Sequence, residues 1–139
     1  MLHRIPAVAA AAAMIGLCAL PASAATTRAA HPSKGSFTVP SAGSSIKAWG
    51  DYTVATHAVK VTVCAKLTGS ASFVVAEAEA YNSSGTQEGT IAAVVTQETP
   101  GRQSCGTASL RGTAHLKVFS EIGSSGGKIV AKTELKSIY

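Results

Sequence analysis

The chain contains 139 residues with a formal net charge of +5, and 46% of its residues are hydrophobic. This length is sufficient for one small domain with a single core and too short for two. Aromatic residues make up only 5% of the chain, which argues against a protein that stacks nucleic-acid bases on aromatic side chains.

The first 24 residues have the pattern of a secretory signal peptide. His3 and Arg4 give a positive start, residues 7–20 are apolar throughout, and the Ala-Ser-Ala sequence at 22–24 fits a signal peptidase. The apolar run is shorter than the about 20 residues that cross a bilayer. We therefore predict cleavage after Ala24, a secreted, extracellular protein, and no transmembrane segment after processing.

Cleavage would remove Cys18 and leave Cys64 and Cys105 in an oxidising compartment. Two cysteines allow only one pairing, and exported proteins keep such pairs oxidised. The sequence therefore predicts one disulfide bond, between Cys64 and Cys105.

The remaining chain divides into a leader and a β domain. Residues 25–36 are rich in Ala, Thr, Ser and Pro without periodicity, which predicts a flexible leader. From residue 37 to residue 139, apolar and polar residues alternate between short Gly- and Ser-rich turns. This pattern predicts a single all-β domain, a small antiparallel β-sandwich or barrel of about six or seven strands with one disulfide. The predicted strands are 46–54, 59–67, 73–81, 90–98, 107–122 and 128–138, with a short strand near 37–39.

The segment Val74–Tyr81, VVAEAEAY, contains strong helix formers. Period-2 alternation nevertheless separates its apolar residues cleanly from Glu77 and Glu79. We predict a strand here, with the two glutamates on its solvated face, although they could also form a paired-carboxylate site.

Both cysteines fall on the polar side of their predicted strands. Cys64 alternates with Lys60 and Lys66, and Cys105 is in phase with Arg111 and the residues beyond it. An immunoglobulin-type bridge joins inward-facing positions through the core. The pattern instead predicts a bridge on an outer sheet face or at a strand end, and antiparallel neighbouring strands if it is cross-strand.

Basic groups share the polar sides of the two cysteine-bearing strands. If those strands are neighbours, they form one basic face that could bind an anionic polymer, such as nucleic acid, an acidic glycan or a cell-wall phosphate. A solvated surface is the alternative, and sequence-specific nucleic-acid binding is not expected. The predicted binding residues are Lys60, Lys66, Arg111, His115 and Lys117.

Trp49 is a further candidate contact. It lies opposite the phase of Ile46, which allows an exposed position that contacts a sugar or a partner protein. A tryptophan at such a position can also close one edge of a small core.

Residues for catalysis are few. His31 falls in the predicted leader, His57 is in phase with valines at a strand end, and His115 lies among polar residues. The nucleophile-elbow, zinc-protease, CxxC and Walker motifs are all missing from the sequence, so we predict no catalytic residue, no metal and no cofactor.

The main hypothesis is a secreted non-enzymatic module of unknown role that binds an anionic polymer, a cell-envelope surface or a protein. The alternative is a small secreted hydrolase, or an enzyme inhibitor, built around His115 and a nearby glutamate.

Overall fold

The structure, a computed structural model, describes residues 33–139. Alternating apolar and polar residues form β-strands through most of this part of the chain. The predicted signal peptide, residues 1–24, and residues 25–32 of the predicted leader lie outside the described residues. The strands are β1 (Lys34–Thr38), β2 (Ile46–Ala55), β3 (Ala58–Leu67), β4 (Phe73–Tyr81), β5 (Gln87–Thr96), β6 (Gln103–Arg111), β7 (His115–Ser124), β8 (Lys128–Lys132) and β9 (Lys136–Ser137). No helix within residues 33–139 is long and apolar enough to span a membrane.

The strands form two antiparallel sheets packed face to face. The first sheet has the order β1-β2-β3-β6, and the second has the order β5-β4-β7-β8, with β9 also paired to β7. The crossings between sheets place β6 beside β3 and β7 beside β4, a Greek-key connectivity common in β-sandwiches. The predicted all-β sandwich with one disulfide is therefore confirmed.

The core lies between the two sheets and consists of the inward-facing alternate residues. Val61 and Val63 of β3, and Val74, Ala76 and Ala78 of β4, have no solvent exposure. Each buried valine stabilises the fold by about 1.5–3 kcal/mol relative to an exposed one. The strand predicted over 73–81 is confirmed. Its alanines and glutamates favour a helix, but the packing of alternate residues into the core overrides this helix propensity.

The predicted strand 107–122 is wrong in one respect, since it is interrupted. β6 ends at Arg111, β7 begins at His115, and the two strands belong to different sheets. Gly112 turns the chain with φ 69°, a conformation that glycine adopts without the steric cost of a side chain. Gly112 also occupies the apolar phase between Leu110 and Ala114, so the alternation continues through the turn and conceals it.

The first strand begins earlier than the predicted domain boundary. β1 starts at Lys34, inside the segment predicted to be a leader up to residue 36, and pairs with β2 from Lys34 opposite Thr53. Phe37 faces inward opposite Gly50, whose missing side chain leaves the space that the Phe37 ring occupies. The sequence of β1 is short and mostly polar, so its pairing with β2, and not its own alternation, makes it a strand.

Candidate binding face

The outward-facing side of the first sheet carries a concentration of positive charge, which we call the basic face. Alternation along β2, β3 and β6 directs the apolar residues into the core and the polar residues to solvent. Asp51 is the one carboxylate on the four strands of this sheet. The cations of the basic face are all exposed: Lys34, Lys47, Lys60, Lys66 and Arg111.

The strand register divides these cations into two groups. Lys47 lies directly opposite Lys66, an arrangement in which like charges repel. At the other end of β3, Lys60 and Lys34 flank Thr53 of β2 from its two sides, and Arg111 is opposite Ala58. Six residue-to-residue steps along β3 separate Lys60 from Lys66, so the groups lie roughly 20 Å apart, at about 3.3 Å per residue.

The cations of the basic face have no carboxylate partner within residues 33–139. In this part of the chain one ion pair is formed, between Lys132 and Glu121 of the second sheet. The repulsion between Lys47 and Lys66 is therefore not relieved by a neighbouring carboxylate. A bound anion would relieve it.

The predicted disulfide crosses the middle of this face. Cys64 and Cys105 are directly opposite each other on β3 and β6, with Cα atoms 4.0 Å apart. The prediction that the bridge joins antiparallel neighbours on an outer sheet face is confirmed. Cys105 is exposed, whereas Cys64 is only 6% exposed because it stands between Cys105, to which it is bonded, and the large side chain of Trp49.

Hydroxyl groups fill the row next to the disulfide. Asp51, Thr62 and Thr107 are register partners across β2, β3 and β6. The two threonine hydroxyl oxygens lie 3.0 Å apart and share a hydrogen bond. This row offers hydrogen-bonding groups between the two groups of cations.

Trp49 is on the basic face and is 37% exposed, so it does not close the edge of the core. A cleft of about 360 Å³ lies next to it, lined by Thr38, Val39, Ser41, Ile46, Lys47, Ala48 and Trp49. The cleft forms because β1 ends at Thr38, which leaves the edge of β2 beside a loop and not beside a strand.

Ser120 of the second sheet fixes that loop. Its buried hydroxyl donates to the carbonyl of Pro40 and accepts a hydrogen bond from the amide of Ala42 at 3.0 Å. These two loop residues alternate with Val39 and Ser41, which line the cleft. Sequence reasoning missed Ser120. The signal that could have found it is the occurrence of a polar residue in the apolar phase of β7.

His115 and Lys117 do not belong to the basic face, contrary to the predicted grouping. Both are on β7, in the second sheet, because the chain crosses between sheets after Arg111. Lys117 lies over the ring of Tyr81, 5.0 Å from its centre. Lys34 and Lys47, which sequence reasoning missed, join the face through strand pairing with β2 and β3.

The second sheet has balanced charge, unlike the first. Its strands carry four lysines and four glutamates. Partial burial raises the pKa of Glu77, and the nearby carboxylates of Glu79 and Glu121 raise it further. The Tyr81 hydroxyl donates a hydrogen bond to Glu79, and this bond is the main cause of the raised pKa of Tyr81. Glu77 and Glu79 thus form part of a mixed-charge surface.

The histidines do not assemble a catalytic group in the described chain. His57 is exposed in the turn between β2 and β3, where it lines a cleft of about 520 Å³ with Arg111. His115 is exposed opposite Tyr81, and no ion pair joins it to a carboxylate of residues 33–139. Over the same residues, no three His, Cys, Asp or Glu side chains are grouped as metal ligands. His31 lies outside the described residues.

The similarity of the chain to known proteins is distant. No protein-family model matches the chain, and no curated protein matches it. Among solved structures, a protein described as a "putative beta-galactosidase from bacteroides fragilis" is similar, with 16% sequence identity and a TM-score of 0.38. The similarity covers 75% of this chain and 16% of that chain.

Proposed function

We propose that this protein is a secreted, non-enzymatic module that binds an anionic polymer of the cell envelope or its surroundings through the basic face. The observation that carries the proposal is the unequal distribution of charge between the sheets. The strands of the first sheet hold five cations and one carboxylate, whereas those of the second hold equal numbers of each sign.

The distribution of the cations fits a polymer better than a single small anion. Two groups of cations lie roughly 20 Å apart on one face, so one extended chain of negative groups can contact both. Positive potential of this kind raises the local concentration of a polyanion and releases its condensed counterions on binding. Trp49 is the one exposed aromatic side chain on the strands of the first sheet, which gives little surface for stacking bases, so sequence-specific nucleic-acid recognition is not part of the proposal.

Secretion is part of the proposal and is supported by the signal-peptide pattern of residues 1–24. The Cys64–Cys105 bridge is compatible with it, because such bonds persist in oxidising compartments. In that setting the basic face would meet acidic polysaccharides and phosphate-containing polymers.

The test is retention of the protein on a sulfated polysaccharide matrix at two salt concentrations. We expect binding at about 50 mM salt and a steep loss by about 200 mM, because counterion release weakens as salt rises. Failure to bind at the lower salt, or binding that salt does not change, would refute the proposal.

Charge-reversed variants locate the binding. K60E/K66E should weaken retention at least about tenfold, because it replaces two attractive charges with two repulsive ones. The matched control is K128E/K136E, which changes the net charge equally on exposed lysines of the second sheet. Equal effects of the two variants would show that net charge, and not the basic face, determines retention.

A further inference from the structure

We infer that the cleft beside Trp49 is a subsite for one sugar ring of an acidic polysaccharide. This inference rests on the proposed function and narrows its ligand from polyanions in general to acidic glycans. It is carried by the exposed indole, the adjoining cleft and the charged groups that surround both.

The indole stands out among its surroundings. Among the described residues, the other large hydrophobic side chains that are exposed belong to the second sheet or to the segment between β8 and β9: Val94, Ile129, Val130 and Leu135. Trp49 is therefore isolated on a face of lysines and hydroxyl groups. The C–H face of a sugar ring is apolar while its rim is polar, so a lone flat indole among polar groups suits it.

The cleft next to Trp49 has the size and chemistry for one ring. Its volume of about 360 Å³ is within the about 300–1,000 Å³ typical of small-molecule sites. The core residues Val39, Ile46 and Ala48 contribute its apolar surface. Thr38 provides a hydroxyl group, while the Ser41 hydroxyl donates to the Ile46 carbonyl within the loop.

Charged groups on both sides of Trp49 would distinguish the substituents of the ring. Lys47 lines the cleft and lies opposite Lys66, so the pair can bind a carboxylate or sulfate group. Asp51 is two residues from Trp49 on the same face, about 6.6 Å along the strand. Its carboxylate can accept hydrogen bonds from the neutral hydroxyls of a sugar ring, whereas a polyphosphate carries a negative charge at every unit and is repelled there, which favours a glycan over a polyphosphate.

The structure holds this subsite in a fixed shape before binding. Trp49 pairs in register with Cys64, whose backbone is tied to β6 by the disulfide. On the other side of the cleft, Ser120 holds the loop at Pro40 and Ala42. Preorganisation of this kind reduces the entropy lost when a ligand binds.

The experiment uses the fact that Trp49 is the single tryptophan of the chain, so the intrinsic tryptophan fluorescence reports this site alone. Wild type, W49F and W49A are titrated at low salt with three probes: an acidic oligosaccharide, a polyphosphate of similar charge, and single-stranded DNA. Titration calorimetry measures the affinities of all three proteins, because the two variants contain no tryptophan. We expect the oligosaccharide to change the fluorescence emission of the wild type. We expect it to bind W49A roughly tenfold more weakly, because the variant loses an aromatic contact that is buried when the ligand binds. W49F should keep most of the affinity, and polyphosphate binding should be nearly equal in all three proteins.

The outcomes separate the inference from the proposed function. If all three probes bind in a salt-dependent way but W49A weakens none of them, the proposed function stands and the sugar subsite is wrong. A loss for DNA equal to that for the oligosaccharide would overturn the assignment to glycans. If no probe binds at low salt, the proposed function itself fails. Circular dichroism of each variant verifies that the fold is intact.

Discussion

A single residue of β7, Ser120, connects the two sheets through hydrogen bonds. It is the one buried polar side chain among residues 33–139, and it has no solvent exposure. Besides its two bonds to the loop at Pro40 and Ala42, its amide donates to the Thr133 hydroxyl at 3.0 Å. These bonds satisfy polar groups that would otherwise be buried without partners.

We predict that Ser120→Ala lowers the free energy of unfolding by about 1–3 kcal/mol, because the Pro40 carbonyl and the Ala42 amide lose their partner. The measurement is chemical denaturation of the variant and the wild type. Ser109→Ala is the matched control, since Ser109 is exposed on β6 and should change stability by less than about 0.5 kcal/mol. A loss for Ser120→Ala no larger than that of the control would contradict this role.

Individual residues of the site were predictable to different degrees. The outward positions of Trp49, Lys60 and Lys66 followed from period-2 alternation, which depends only on local sequence. Lys34 and Lys47 were missed because their place on the face depends on which strands pair with β2. Strand pairing depends on residues far apart in the chain, so the local alternation of apolar and polar residues does not reveal it.

At the scale of elements, the disulfide joins β3 to β6 across neighbouring strands of the first sheet. It closes a loop between positions separated by 41 residues, a loop that contains β4 and β5. In the chain-entropy account, such a closure stabilises the fold by restricting the unfolded chain.

We predict that replacing both cysteines with alanine lowers the free energy of unfolding by about 2–4 kcal/mol. Denaturant unfolding of the double variant and the wild type measures the difference. Thiol titration of the unfolded, unreduced wild type should find no free thiol in the Cys64–Cys105 pair. Two free thiols, or a double variant as stable as the wild type, would contradict the account.

Alternation predicted the strands well where the chain stays within one sheet. The predicted segments 59–67 and 73–81 correspond closely to β3 and β4. The segment 107–122 was divided because Gly112, with its positive φ, preserves the apolar phase while it turns the chain. The two strands on either side of that glycine then enter different sheets, and this crossing removed His115 and Lys117 from the basic face.

At the scale of the whole molecule, the domain is electrostatically two-sided. The first sheet presents unpaired cations to solvent, and the second sheet presents a mixture of lysines and glutamates that includes the Lys132–Glu121 pair at 3.1 Å. The sequence predicted an all-β sandwich with a bridge on its outer face, but it could not assign charges to sheets. That assignment requires the strand order, which is set by contacts between residues far apart in the chain.

We propose that a polyanion contacts the outer side of the first sheet. The most direct measurement is the change in backbone amide chemical shifts when an isotope-labelled sample of the protein is titrated with a short sulfated oligosaccharide at low salt. We expect the largest changes to cluster on β2 and β3, around Lys47, Trp49, Lys60 and Lys66, while β4, β5 and β7 change little. Changes concentrated on the second sheet, or spread evenly over both sheets, would contradict it.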